Sequence, residues 1–91
     1  MNFEWDEAKR QSNLRKHHLD FVDAESIFSG ATFTFADDRF DYEEDRYITL
    51  GLLKEIVVVI AHTERANGIR VIMMRKATKH EQRLYFEEFA E

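Results

Sequence analysis

The fold is decided by four stretches within residues 47–74. They read Tyr47-Ile48-Thr49-Leu50-Gly51-Leu52-Leu53, Lys54-Glu55, Ile56-Val57-Val58-Val59-Ile60-Ala61 and, beyond Asn67-Gly68, Ile69-Arg70-Val71-Ile72-Met73-Met74. Ile56–Ala61 is apolar at every position, which predicts a central strand covered on both faces. Lys54-Glu55 is short enough for a tight turn, and Asn67-Gly68 is a strong hairpin signal. Three strands joined so briefly predict an antiparallel meander. Upstream, Ala31-Thr32-Phe33-Thr34-Phe35-Ala36 alternates with period two and predicts a fourth strand. The acidic stretch Asp37 to Asp45 between them is expected to be a loop or wide hairpin.

Helical spacing appears on either side of these strands. Asp6 is placed to cap a helix beginning at Glu7, with Trp5, Ala8 and Leu14 as a thin apolar stripe. Asp20 is placed to cap a second helix, in which Phe21, Ala24 and Phe28 share a face and Gly30 follows as a C′ glycine. Thr78-Lys79-His80-Glu81 has the capping-box pattern, with Leu84, Tyr85 and Phe89 following at helical spacing. The chain reads α-α-β-β-β-β-α, an α+β fold with a four-stranded antiparallel sheet packed by helices, as a single domain over residues 1–91.

Composition narrows the chemistry. The chain has 91 residues, no Cys and no Pro, so disulfides, Cys-type zinc sites and thiol nucleophiles are excluded. Absence of Cys also suits a reducing, cytoplasmic setting. Met1–Asp6 has no apolar core of a signal peptide, and Ile56–Ala61 is too short to span a bilayer, so no membrane association is expected. The net charge of −5 disfavours nucleic-acid binding when taken as a total. Its distribution does not: residues 55–80 carry five basic and two acidic groups, whereas every other segment is net acidic. A polyanion site should involve that basic island.

The run Ile69-Arg70-Val71-Ile72-Met73-Met74-Arg75-Lys76-Ala77-Thr78-Lys79-His80-Glu81, continuing to Tyr85, resembles the signature of the BrnT family of toxins. These are RelE-like ribonucleases of bacterial type II toxin–antitoxin systems. Tyr42, Glu44, Arg46 and Gly51 fit the same pattern, as do Trp5-Asp6, Lys9, Asn13, Lys16-His17, Phe21, Ala24 and Phe28. Two positions depart from it: His18 stands where many relatives have glycine, and Met73 where serine is common. The resemblance implies a RelE-like fold and metal-independent RNA cleavage through the 2′-OH that inhibits translation, with no cofactor. It also implies a BrnA-type ribbon-helix-helix antitoxin as partner. The complex would be a dimer of toxin–antitoxin pairs that contacts DNA only through the antitoxin.

Cleavage of this kind needs a proton acceptor for the 2′-OH, charge stabilisation at the phosphate and a proton for the leaving 5′ oxygen. Arginine suits the phosphate, because it stays charged and donates paired hydrogen bonds. The expected catalytic set is Arg75 and Arg65 on the scissile phosphate, Arg46 in support and His62 for protons. Arg70, Lys76, Lys79 and His80 are expected to bind RNA. In a regular strand Arg70 and Arg75 point to opposite faces, unless a bulge intervenes. Each residue also has a plainer reading. Arg75 can pair with Glu81, Arg46 with neighbouring carboxylates, and Arg65 can be a solvated turn residue. His62 can be a hydrogen-bonded strand-end histidine, and His80 and Glu81 part of a helix cap. His17-His18 makes a poor chelate, Met73-Met74 reads as core filler, and the acidic run lacks calcium-loop spacing, so no metal is expected. That run is either a solvated hairpin or a docking strip for a basic antitoxin segment. Two rival functions remain: a non-catalytic RNA- or antitoxin-binding module of the same fold, and a small DNA-binding regulator.

Overall fold

A computed structural model describes residues 1–39 and 41–89 of the chain. The elements are β1 (Asn2–Glu4), α1 (Glu7–His17), a 3-10 turn (Phe21–Asp23), α2 (Ala24–Phe28), β2 (Phe33–Ala36), β3 (Tyr47–Leu53), β4 (Ile56–Arg65), β5 (Gly68–Lys76) and α3 (Lys79–Glu88). The strands form one sheet in the order β1-β5-β4-β3-β2. The apolar run from Ile56 therefore lies in the middle strand, buried on both faces from Val57 to Ala61. The meander β3-β4-β5 is antiparallel throughout.

The sheet differs from expectation at its far edge. It has five strands and is mixed, because β1 pairs parallel to β5, Asn2 opposite Gly68 and Glu4 opposite Arg70. Three residues are too few to carry a readable alternation, so β1 owes its existence to its partner. Gly68 makes the pairing possible. A Cβ on it would collide with the backbone of Asn2. The turn itself is Ala66–Asn67, and Gly68 already belongs to β5. Gly51 has a second packing role: a Cβ there would lie 2.6 Å from a methyl of Ile27, so its absence lets α2 approach β3 closely. Gly30 is not a left-handed C′ residue, since none of the glycines has a positive φ. The second helix is also shorter than its pattern suggests, divided between the 3-10 turn capped by Asp20 and the five residues of α2.

Two cores sandwich the sheet. On one face Phe21, Ala24 and Ile27 pack on Val58, Ile60, Ile69, Val71 and Met74. On the other, Ala77 and Tyr85, with Leu84, pack on Leu50, Val57 and Val59. The capping box of α3 is complete: Glu81 N–H donates to the Thr78 hydroxyl at 3.2 Å and Thr78 N–H to the Glu81 carboxylate at 2.8 Å. Asp6 caps α1 by accepting from the amide of Lys9. His18 ends that helix in the left-handed region at φ 60°, a conformation that glycine adopts without strain. The buried residue of α1 is Asn13, not an apolar one, and Ala8 is exposed. The Asn13 carboxamide accepts from Met74 N–H at 3.1 Å and donates to Met74 C=O at 2.9 Å and Leu19 C=O at 3.2 Å. It thereby caps the edge of β5 beyond the short reach of β1. Among the described residues, no helix is long and apolar enough to cross a membrane.

Candidate active site

Strand β5 decides what the cationic residues share. Along β4 and β5, Ala61 pairs with Met73 but His62 pairs with Val71, so Ile72 is an extra residue, a β-bulge. The bulge reverses parity. Ile69, Val71 and Met74 face the α2 core, whereas Ile72 and Met73 both face the α3 side. Arg70 and Arg75, five positions apart, consequently emerge on the same face of the sheet.

That face is open beyond the end covered by α3. One cleft of about 310 Å³ is lined by Arg75, Glu81, Arg39, Asp37, Met73 and Ile48. Beside it along β5, a second of about 250 Å³ is lined by Arg70, Arg46, Tyr42, Thr63, Ile72 and Lys9, with Glu43 and Glu44 at its rim. Arg75 is half-buried and donates two bonds to Glu81, at 2.7 and 2.8 Å. Those bonds, with that from Thr78 N–H, hold the Glu81 carboxyl down to about 2. They also raise the pKa of Arg75, against the opposing charge of nearby Arg39. Arg39 is in turn held by Asp37 at 2.8 and 3.0 Å. Asp37 is buried, also accepts from the Tyr42 hydroxyl at 3.1 Å, and is held down to about 2 chiefly by Arg39. Arg46 lies over the Tyr42 ring, 4.2 Å from its centroid. Arg75, half-buried, and Arg39, largely exposed, thus line one cleft with their guanidiniums already paired to carboxylates, a pairing that suits them to bind an anion.

The other expected residues scatter. Arg65 pairs with Glu44 at 3.2 Å and Glu4 at 3.7 Å and lines a separate cleft beside Asn67. It lies six residues along β4 from Val59, the partner of Arg75, or about 20 Å at ~3.3 Å per residue. The two arginines are therefore not brought together on one phosphate. Lys76 has the opposite parity to Arg75, while Lys79 and His80 are exposed in the first turn of α3. Arg39 gives no signal in the sequence, because acidic residues surround it. Among the described residues, no three His, Cys, Asp or Glu side chains converge as a metal-ligand set.

His62 lies on the wrong face for this cleft. It is fully buried, opposite Tyr47 in β3, edge-on to Phe28 and stacked on Tyr47. Its Nε2 is 2.7 Å from the Thr49 hydroxyl, itself 2.7 Å from that of Thr34, while Nδ1 has no hydrogen-bond partner. Burial pushes its pKa below the usual imidazole value, outweighing the attraction of Glu64. Because the folded pKa is lowered, the unfolded chain binds this proton more readily. Stability contributed by neutral His62 is complete above about pH 6.5 and falls as the pH drops below that value. Urea titrations between pH 7 and pH 5 should show the loss, and His62→Gln should flatten it over that window. The stability contributed by carboxylate pairs such as Arg75–Glu81 is complete throughout that window and is lost only as the pH falls from about 4.5 toward 2, because the Glu81 pKa is depressed.

A family model described as "Ribonuclease toxin, BrnT, of type II toxin-antitoxin system" matches residues 5–81 of the chain. No curated protein matches it.

Proposed function

The chain belongs to the BrnT family of ribonuclease toxins of type II toxin–antitoxin systems, and from that premise we propose that the Arg75–Arg39 cleft holds the scissile phosphate of an RNA. The observation that carries this reading is the convergence of Arg75 and Arg39 in one cleft, with Arg46 and Arg70 beside it on the same face. Cleavage proceeds without a metal. Phosphate displaces Glu81 from Arg75, and the freed carboxylate, no longer held near 2 by that pairing, becomes a stronger base. It takes the 2′-OH proton; the 2′ oxygen attacks phosphorus as the bond to the 5′ oxygen breaks. The products are a 2′,3′-cyclic phosphate and a 5′-hydroxyl protonated from solvent. Arg75 and Arg39 stabilise the charge that builds on the phosphoryl oxygens. Arg46 and Arg70 bind the adjoining RNA, with Lys79 and His80, exposed in the first turn of α3, and Arg65 contacting it further out. His62 has no part in proton transfer, being buried beneath the opposite face.

The partner is a BrnA-type ribbon-helix-helix antitoxin, assembled with the toxin as a dimer of pairs in the cytoplasm. The pairing of Arg75, Arg39 and Arg65 with carboxylates also favours a different reading, a binding module that never cuts. One experiment separates them. An RNA cut by the purified protein in EDTA should become resistant when the nucleotide 5′ to the cleaved bond carries a single 2′-deoxy substitution. Retention of labelled RNA without fragments would establish the binding module instead.

A further inference from the structure

Thr63 has a feature that phosphate binding does not use. The residue is 2% exposed, and its hydroxyl makes no hydrogen bond. A buried polar group left unpaired is destabilising and uncommon in native folds. This one borders the cleft shared by Ile72, Arg70, Arg46 and Tyr42. We propose that the cleft is a nucleobase subsite, taking the unpaired base next to the scissile phosphate, with the Thr63 hydroxyl bonded to the edge of that base. The proposal rests on the ribonuclease reading above and extends it to sequence preference.

Size, chemistry and position support it. The cleft measures about 250 Å³, so at roughly 30 Å³ per water it is far more than a niche for one bridging water. Ile72 supplies an apolar surface, and the Arg46 guanidinium stacked on Tyr42 supplies a flat cationic wall of the kind on which bases stack. Glu43 and Glu44 at the rim offer acceptors for exocyclic amino groups. The β-bulge places Ile72 beside Met73 on one face, so this cleft adjoins the one containing Arg75. The Thr63 oxygen itself exposes less than 1 Å². The base therefore reaches it once a side chain lining the cleft moves aside for the RNA.

The test compares the intact wild-type protein with Thr63→Val, which keeps the shape and removes the hydroxyl, and Thr63→Ser, which restores it. Each is assayed on RNA oligonucleotides that differ only in the base next to the cleaved bond. The wild type should prefer one or two bases. Thr63→Val should lose about tenfold of that preference in kcat/KM, the scale of one hydrogen bond at a buried group. Thr63→Ser should regain the preference. The valine variant should also melt no lower than wild type, because it removes an unpaired buried hydroxyl. An unchanged base preference in Thr63→Val overturns the subsite and leaves the ribonuclease reading intact. So does an altered affinity for the antitoxin with the preference unmoved, which makes a protein side chain the occupant. If the wild type cuts none of the oligonucleotides, the ribonuclease reading fails. The same panel read by fluorescence anisotropy then decides the subsite, with equal affinities for wild type and Thr63→Val overturning it.

Discussion

Arg75→Ala is expected to lower RNA cleavage by about 100- to 1000-fold, the usual cost of removing one donor from a charge-stabilising site. Expression of the variant should leave cells growing. The size of the effect follows from geometry: Arg75 already presents two parallel N–H groups, which a carboxylate now fills and a phosphate can fill in its place. Arg75→Lys should recover only a small part of the activity, because an ammonium is a point charge and cannot reproduce the paired geometry. The fold should persist in both variants, since Glu81 still accepts from Thr78 N–H and the helix cap survives. Circular dichroism and antitoxin co-purification check that persistence. Growth arrest by folded Arg75→Ala would remove Arg75 from the chemistry.

Asn13→Ala carries the largest expected loss of stability. The substitution deletes three hydrogen bonds and leaves Met74 N–H, Met74 C=O and Leu19 C=O without partners beneath α1. Unpaired buried groups of this kind suggest a loss of about 2–3 kcal/mol. At about 4–8 °C per kcal/mol for a domain of this size, the melting temperature should fall by roughly 8–24 °C. Asn13→Asp should be no milder at neutral pH, because a carboxylate has no donor for the two carbonyls and meets them with like polarity. A melting temperature of either variant close to that of wild type would mean that water replaces the carboxamide at this edge.

Much of the architecture is legible in the sequence because its signals are local. The central strand follows from an unbroken apolar run, the tight β3–β4 turn from its length, and the α3 start from reciprocal groups three residues apart. The missing pieces are those fixed by distant partners. β1 has no pattern of its own and forms on an edge that Gly68 leaves open. The bulge at Ile72 is a mismatch between two strands, invisible in either alone, yet it decides whether Arg70 and Arg75 cooperate. Of the expected site, Arg46, Arg70 and Arg75 come to one face, while the burial of His62 depends on Phe28 and Tyr47 packing around it. Arg39 and Thr63 carry no legible signal, for opposite reasons. Arg39 is masked by the acidic run in which it sits, and Thr63 has the pattern of any strand threonine.

The pairing of Asn2 with Gly68 also sets a timetable. At roughly 5–20 residues per second, β1 leaves the ribosome about 3–13 s before the strand that must receive it. Arg65, Arg70, Arg75 and Glu81 all belong to that late-arriving stretch. Arg39 and Arg46 precede that stretch, so the cleft that Arg75 and Glu81 line can form only after β5 and the start of α3 have joined them.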